Sequence, residues 1–496
     1  MRFIKSTILY HLLIFLIIII AFTFRLKNLN TPLLDTHYFR QAQTATIAWN
    51  FYNSGIDIFQ PQLDIFGEGK ERVLIIEFPF FQSIVAFFAY LVGYSDALGK
   101  LISILFGLIG GIILLALISE ITEKRLLAIF TFVFYLFFPL NIFFQHAYMI
   151  ESTVVTLHIF SIFSWYKYAK AQNNIWYIIA IIITVLAFLQ KSVYAPFLIP
   201  VILVIFYIYR RKKIKPLINL FIGLAIPSLC LVLWQIYVDK SNIAHGNSFF
   251  TSQNESQWLW NVGTLEDRLS LNAWVYRITN LIDGITKFAL ISFIFGLFAL
   301  YKSSNKDRLV WIIWLLSMIL YFCTFYRIQS HNYYSLPIMP IISIISAYGL
   351  YTITSLFHSI LSKLRINGNF YIILPIFFLL LFSVKGYLNS LPFFSLDSNT
   401  RKNLDIIKSQ ITEKGNIIYI FSQKDWNSIF SYYHKRIAIV LTPDEINPSK
   451  LVDLKKGNYK YLVLYGLDKT SSSKINKTIK DLILKEDKDN IKIYIL

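Results

Sequence analysis

Between residues 8 and 388 the chain returns again and again to apolar runs about as long as a bilayer is thick. Crossing ~30 Å of hydrocarbon takes about 20 helical residues, since each rises only ~1.5 Å. Runs at 8–24, 98–119, 126–145, 152–168, 175–190, 193–209, 217–238, 287–301, 309–326, 335–357 and 370–388 come near that length, which predicts about eleven spans. Composition agrees: only 15% of the residues are charged and 56% are hydrophobic, whereas a soluble chain carries about 25% charged residues. An all-α polytopic membrane domain is therefore expected over residues 1–390.

The loops orient it. Residues 8–24 follow Arg2 and Lys5 with no small-x-small cleavage site after them, which reads as an uncleaved signal anchor with its N-terminus inside. A further apolar stretch, FPFFQSIVAFFAYLVGY at 78–94, is ambiguous by composition. If it does not cross, the basic loops at Lys124/Arg125, Lys167/Lys170, Arg210–Lys215, Lys302–Arg308 and Lys363/Arg365 all fall on the cytoplasmic side. If it crosses, they all move outside. The positive-inside bias thus makes 78–94 a juxtamembrane or re-entrant helix within a first external loop at 26–97.

The formal charge of +19 does not point to nucleic acid, because its densest cluster, RRKKIK at 210–215, abuts an apolar segment as a cytoplasmic anchor does. The two cysteines, Cys230 and Cys323, lie inside apolar runs and support neither a disulfide framework nor a thiolate metal site. After residue 390 the character changes. Short β-rich runs (IIYIFS, IAIVL, YKYLVLYG, IKIYIL) alternate with polar helical stretches (DWNSIFSYYHKR and SSSKINKTIKDLILKEDKD), which predicts a small extracytoplasmic α/β domain with a largely parallel sheet over 391–496. It has no Gly-rich phosphate loop.

With that topology, charged residues gather at the outer ends of the spans. In LLDTHYFRQAQTATIAWNFY (33–52), Tyr38, Ala42, Ala45, Trp49 and Tyr52 recur at spacings of four and three, predicting a helix lying flat on the outer surface. Asp35 sits where its N-cap would. Glu77 opens the 78–94 stretch; Gln145, His146 and Glu151 flank one outer turn; Lys191 lies in another; Arg327, His331, Tyr333 and Tyr334 occupy a third. Charge at a bilayer is costly unless paired or lining a wet cavity. Each residue also fits a plain role: Asp35 as a cap, Lys191 and Arg327 as snorkelling cations, the tyrosines as an aromatic belt, the histidines as structural donors.

These residues resemble the C-type glycosyltransferase superfamily, in the branch holding bacterial relatives of protein O-mannosyltransferases and the lipid A aminoarabinose transferase. The likeness rests on Asp35-Thr-His37-Tyr-Phe-Arg40-Gln41-Ala-Gln-Thr44-Ala, Phe59-Gln-Pro61-Gln-Leu-Asp64, Glu77-Phe78-Pro79, the Asp96…Lys100…Gly107 stretch, Gln145…Glu151 and His331-Asn-Tyr-Tyr-Ser-Leu-Pro337. It implies a sugar donor on a polyprenyl phosphate, Asp35 as the catalytic carboxylate, Glu77 and Glu151 as acids near the site and Lys191 near the donor phosphate. The chain departs from the branch after Glu77, where the aminoarabinose enzymes have a lysine, and at Phe39 and Lys100, where many relatives have Trp and Arg.

The chemistry so implied is inverting transfer to a lipid, glycan or protein acceptor at the cell membrane. A departing phosphate dianion needs cations, for which Arg40, Lys191 and Arg327 are candidates, and the attacking hydroxyl needs a carboxylate. His37, Gln41, His331 and Tyr334 are further candidate substrate contacts, and Glu77 and Glu151 are candidate ligands if a divalent cation takes part. A transporter or lipid flippase is the first alternative; such proteins place ionisable groups near the midplane and carry internal repeats, which this chain lacks. A lipopolysaccharide ligase or polymerase, or an inactive scaffold presenting its tail, are others.

Overall fold

The computed structural model describes residues 7–210, 214–303, 305–363, 370–422 and 427–496. The basic residues Arg2, Lys5, Arg211, Lys212, Lys213 and Arg365, which enter the orientation argument, lie outside them, as do Asp425 and Trp426 of the expected tail helix. The chain forms two compact units, neither continuous in sequence: residues 1–29, 100–236 and 252–394 make one, and residues 30–99, 237–251 and 395–496 make the other. The division expected at 390 put the first loop with the spans; the structure groups residues 30–99 with the tail instead.

The first unit is helical. Each expected run carries helix, but among the described residues six helices are by themselves long and apolar enough to cross a membrane, or seven counting the bent pair Leu271–Ile285 and Lys287–Lys302. Others are shorter, such as Arg125–Phe137, which stops at Phe138 because the following Pro139 disfavours helical backbone before it. Residues 252–286, which lie between two expected spans, form three helices, Glu255–Val262, Leu265–Leu269 and Leu271–Ile285, the last turning 98° into the next at Thr286. The N-terminal helix Thr7–Arg25 buries only a seam of Tyr10, Ile17, Ala21 and Arg25 and exposes Ile8, Leu12, Phe15 and Ile19. Apolar faces of that extent suit hydrocarbon rather than water.

Two helices of this unit meet backbone to backbone. A Cβ placed at Gly296 would overlap the carbonyl oxygen of Ile345, and one at Gly349 would overlap that of Ser292. Ser346 adds a hydrogen bond to the Ala289 carbonyl at 3.2 Å. Small residues matter here because helices in lipid gain no hydrophobic drive to associate and rely on close van der Waals approach.

The second unit is built on a six-stranded sheet: β1 (Ile65–Gly67), β2 (Asn416–Ile420), β3 (Ala438–Leu441), β4 (Tyr459–Tyr465), β5 (Ile483–Lys488) and β6 (Ile491–Ile495), in spatial order β1-β3-β2-β4-β6-β5. The first three pairings are parallel and the last two antiparallel. β1 comes from the first loop. β5 occupies residues expected to be helical; the helix there stops at Ile479, and Asp489 and Asn490, both with positive φ, turn β5 into β6. That two-residue turn suits Asp and Asn, which tolerate left-handed backbone. Ile418, Ile420, Leu441, Leu462 and Leu464 pack one face of the sheet with Ile475 of the Lys469–Ile479 helix. On β2, Tyr419 points the other way and its hydroxyl meets His434 Nδ1 at 3.0 Å. The ring's Nε2 then donates to the Leu404 carbonyl, 3.0 Å away, so the imidazole is neutral.

Residues 237–251 bind the first loop: Asn242 Nδ2 donates to the Ile75 carbonyl (2.8 Å) and its Oδ1 accepts from Ile75 N (3.0 Å). The helix Tyr38–Ser54 forms as expected, but it does not lie as an amphipathic helix with a wetted polar face. Gln41, Gln43, Thr44 and Asn50 are buried with its apolar residues, because they have partners there. Asn50 Nδ2, for example, donates to Asp64 Oδ1 at 2.9 Å, and Asp64 pairs with Arg72 at 2.5 Å.

Two predictions follow from packing. Replacing Gly349 with Leu forces one backbone off another, at a stability cost of about 1–3 kcal/mol or more; a Gly349→Leu protein that melts like wild type in detergent would show the seam is loose. Burial pushes the His434 imidazole down to about 4, with the Leu404 carbonyl pulling it partly back. The unfolded imidazole titrates near 6.5, so the unfolded chain binds more protons between the two values. The stability from keeping His434 neutral is therefore complete above about 6.5 and lost as pH falls to about 4, amounting to roughly 3 kcal/mol. Melting of the full chain at pH 7 and pH 5 should show a smaller acid loss in His434→Gln; an equal loss refutes it.

Candidate active site

The candidate residues sort by unit. Asp35, His37, Arg40, Gln41 and Glu77 belong to the loop-and-tail unit; Glu151, Lys191, Arg327, His331 and Tyr334 belong to the helical unit.

In the loop-and-tail unit, Asp35 is 1% exposed and is not the helix cap. The N-cap of Tyr38–Ser54 is His37, in left-handed backbone with no side-chain capping bond. The Asp35 carboxylate instead accepts from Gln41 Nε2, which also donates to the Thr36 carbonyl at 3.0 Å. Gln41 thereby fixes the plane of the carboxylate without neutralising it. One residue before it, Arg40 forms an ion pair with Glu77 and donates to Gln43 Oε1. Arg40 was expected to face a phosphate; its charge is instead engaged by Glu77.

In the helical unit, Glu151 opens the helix Glu151–Ala171, where the helix dipole favours an anion. Its Oε1 lies 2.5 Å from Lys191 Nζ, and both side chains are nearly inaccessible. The Lys191 ammonium also stands over the rings of Tyr334 (4.6 Å), Tyr333 (5.3 Å) and Tyr194 (5.7 Å). A snorkelling lysine would keep its head in water, so that plain role fails for Lys191. Burying such a pair is costly unless aromatic faces and hydrogen bonds complete it. Glu151 Oε2 has no hydrogen-bond partner among the described residues. His331 stacks on Tyr333 at 5.4 Å, and the Tyr334 carbonyl accepts from Tyr321 at 2.8 Å. Gln145 and His146 serve structure: Gln145 accepts from Arg25 at 2.7 Å, and His146 Nδ1 lies 2.7 Å from the Arg25 carbonyl.

The helices at 255–285 bring in residues that the sequence reading missed. Arg327 lies over Trp260. Arg277 is 1% exposed, between Trp274 (4.7 Å) and Tyr326 (4.9 Å), with Nε and one terminal nitrogen unpartnered among the described residues. Tyr326 donates to Asp267 at 2.9 Å, and the Thr264 backbone N–H holds the Asp267 carboxyl below its ordinary value, with help from Tyr326. The visible signal was the capping box Thr264-Leu-Glu-Asp267, which marks a helix start.

Glu77 and Glu151 do not suit a divalent cation, since each already faces a cationic side chain. Among the described residues no three His, Cys, Asp or Glu side chains gather as metal ligands do.

The family described as dolichyl-phosphate-mannose-protein mannosyltransferase matches residues 77–234. No curated protein sequence matches the chain. The fold is similar to that of ArnT from Cupriavidus metallidurans bound to undecaprenyl phosphate, with TM-score 0.67, 14% identity and 97% of each chain covered. The apo state of that protein gives TM-score 0.68 at the same identity and coverage. The Archaeoglobus fulgidus oligosaccharyltransferase matches with TM-score 0.54 and 10% identity over 91% of this chain and 69% of its own. The mycobacterial arabinofuranosyltransferase AftD matches with TM-score 0.51 and 11% identity, over 97% of this chain and 41% of its own. Over nearly its whole length the chain therefore has a fold similar to that of ArnT.

Proposed function

We propose that the chain is a membrane glycosyltransferase that moves a sugar from a polyprenyl-phosphate donor to a lipid, glycan or protein acceptor with inversion at the anomeric carbon. The observation that carries this reading is Asp35: a buried carboxylate held by Gln41 and released from capping, on a fold similar to that of ArnT bound to undecaprenyl phosphate. The acceptor oxygen attacks the anomeric carbon, the bond from that carbon to the phosphate oxygen breaks, and the phosphate keeps the electron pair. Asp35 takes the acceptor's proton. The phosphate gains negative charge as it departs, so fixed cations lower the barrier most where that charge appears.

Lys191 is the first candidate for that role. Glu151 takes one of its three N–H donors and the tyrosine rings hold the ammonium in place. Arg277 and Arg327 each keep N–H groups unpartnered among the described residues, and a planar guanidinium suits phosphate oxygens. Arg40 is better read as holding Glu77 than as a donor contact.

The sidedness belongs to the same proposal: N-terminus inside the cell membrane, residues 395–496 outside. The basic loops carry it. A reporter at residue 450 should be active outside the cell, and activity inside would reverse the topology.

Transfer assays test the chemistry. Purified protein should use polyprenyl-phosphate sugars and not nucleotide sugars. Asp35→Asn keeps the size of the side chain but cannot take the proton, so kcat should fall about 10²–10⁴-fold with donor KM little changed. Lys191→Ala should raise donor KM and be partly rescued at high donor. Near-full turnover in Asp35→Asn would rule out the carboxylate as base.

A further inference from the structure

The tail segment holds the first loop at three separate places, all within one compact unit. Next to the reactive carboxylate, Asp397 N donates to the Leu34 carbonyl at 2.8 Å, one residue before Asp35. At its edge, the sheet takes in the loop as β1, which pairs with β3 from Ile65↔Ala438 to Gly67↔Val440, while Ala438 N donates to the Asp64 carbonyl at 2.7 Å.

Between these two anchors, the short Ile429–His434 helix and the residue after it reach the middle of the Tyr38–Ser54 helix. The Tyr432 hydroxyl donates to Asp96 and lies 3.0 Å from the Tyr94 hydroxyl, which is itself 2.8 Å from the Ala45 carbonyl. Two protons serve these three contacts. Asp96 and the Ala45 carbonyl only accept, so the Tyr432 proton goes to Asp96 and the Tyr94 proton to Ala45, with the two hydroxyl oxygens side by side. One turn further along, the Lys435 ammonium stands 4.7 Å from the centre of the Trp49 ring and 5.3 Å from that of Tyr94. Lys435 itself sits in left-handed backbone at φ 52°, a conformation unfavourable for a lysine that the surrounding contacts maintain.

Arg40 and Gln41 stand at the start of the helix so gripped, and Gln41 is the residue that orients Asp35. A tilt or a small rotation of the helix would withdraw Gln41 Nε2 from the carboxylate. We infer that Tyr432 and Lys435 are positioning residues for Asp35: the tail acts on the reaction by fixing, through Tyr94 and Trp49, the helix that orients the carboxylate. The inference rests on the proposed role of Asp35. A tail that merely needed attachment would be served by the β1–β3 pairing; the added hydroxyl chain and cation–π contact fall on the helix next to the reactive group.

The test uses the full-length protein with Tyr432→Phe, Lys435→Ala and the conservative Lys435→Arg. Tyr432→Phe and Lys435→Ala should lower kcat about 10–100-fold, as misplacement remote from the chemistry can. Donor KM should stay within about twofold, because the donor contacts are unchanged. Lys435→Arg, which keeps the cation over the rings, should retain most of the rate. Hydrogen exchange should quicken across amides 38–54 in the two damaging variants. Lowered melting with wild-type kcat and unchanged exchange over 38–54 would make these residues simple glue and overturn the proposal. A wild-type protein without transfer activity would sink the enzyme reading, and exchange over 38–54 alone would then decide: quickened supports positioning, unchanged refutes it.

Discussion

A charge taken out of water must meet an opposite charge or a full set of hydrogen bonds, and the polar architecture of this protein follows from that requirement. Lys191 faces Glu151 and three tyrosine rings, Arg40 faces Glu77, and Arg72 faces Asp64. The first two pairs tie together segments far apart in sequence, Lys191 and Glu151 across a helical hairpin and Arg40 and Glu77 across the first loop. Asp35 is handled differently. It is 1% exposed and its carboxylate accepts from the neutral amide of Gln41, which orients it.

The helical unit was largely legible because lipid imposes one rule on every span: a run of apolar residues of fixed minimum length. The helices at 151–171, 174–190 and 339–363 sit where hydropathy placed them. The number of crossings was less legible, since several helices are shorter than a straight span and one pair bends sharply at Thr286. Pattern within single segments also misled. Tyr38–Ser54 carries an apolar stripe like that of a surface helix, but its polar residues are buried by partners from residues 62–77, which no helical periodicity reveals. The residue before its first turn resembled a cap in Asp35, and the chain capped at His37 instead.

Long-range pairing was the other blind spot. Four strands of the tail were visible as β-rich runs, whereas β1 is three residues, IFG, between Asp64 and Glu68. Nothing local marks them as a strand; they become one only because β3 offers an unpaired edge. The same holds for residues 237–251, whose asparagines replace strand neighbours for residues 71–75. Residue types at the ends of spans singled out Glu151 and Lys191, which the structure pairs, and gave no sign of Arg277, which lies in the middle of the Leu271–Ile285 helix.

The pairing of β1 with β3 also sets an order of assembly. Residues 65–67 leave the ribosome some 370 positions ahead of the strand that completes them. At about 5–20 residues per second, the loop waits of the order of half a minute for its partner. During that interval its backbone donors and acceptors at Ile65–Gly67 face water or whatever else offers an edge. The surroundings of Asp35 are therefore completed late, when the last quarter of the polypeptide has been made, and a truncated nascent chain carries that carboxylate on an unfinished scaffold.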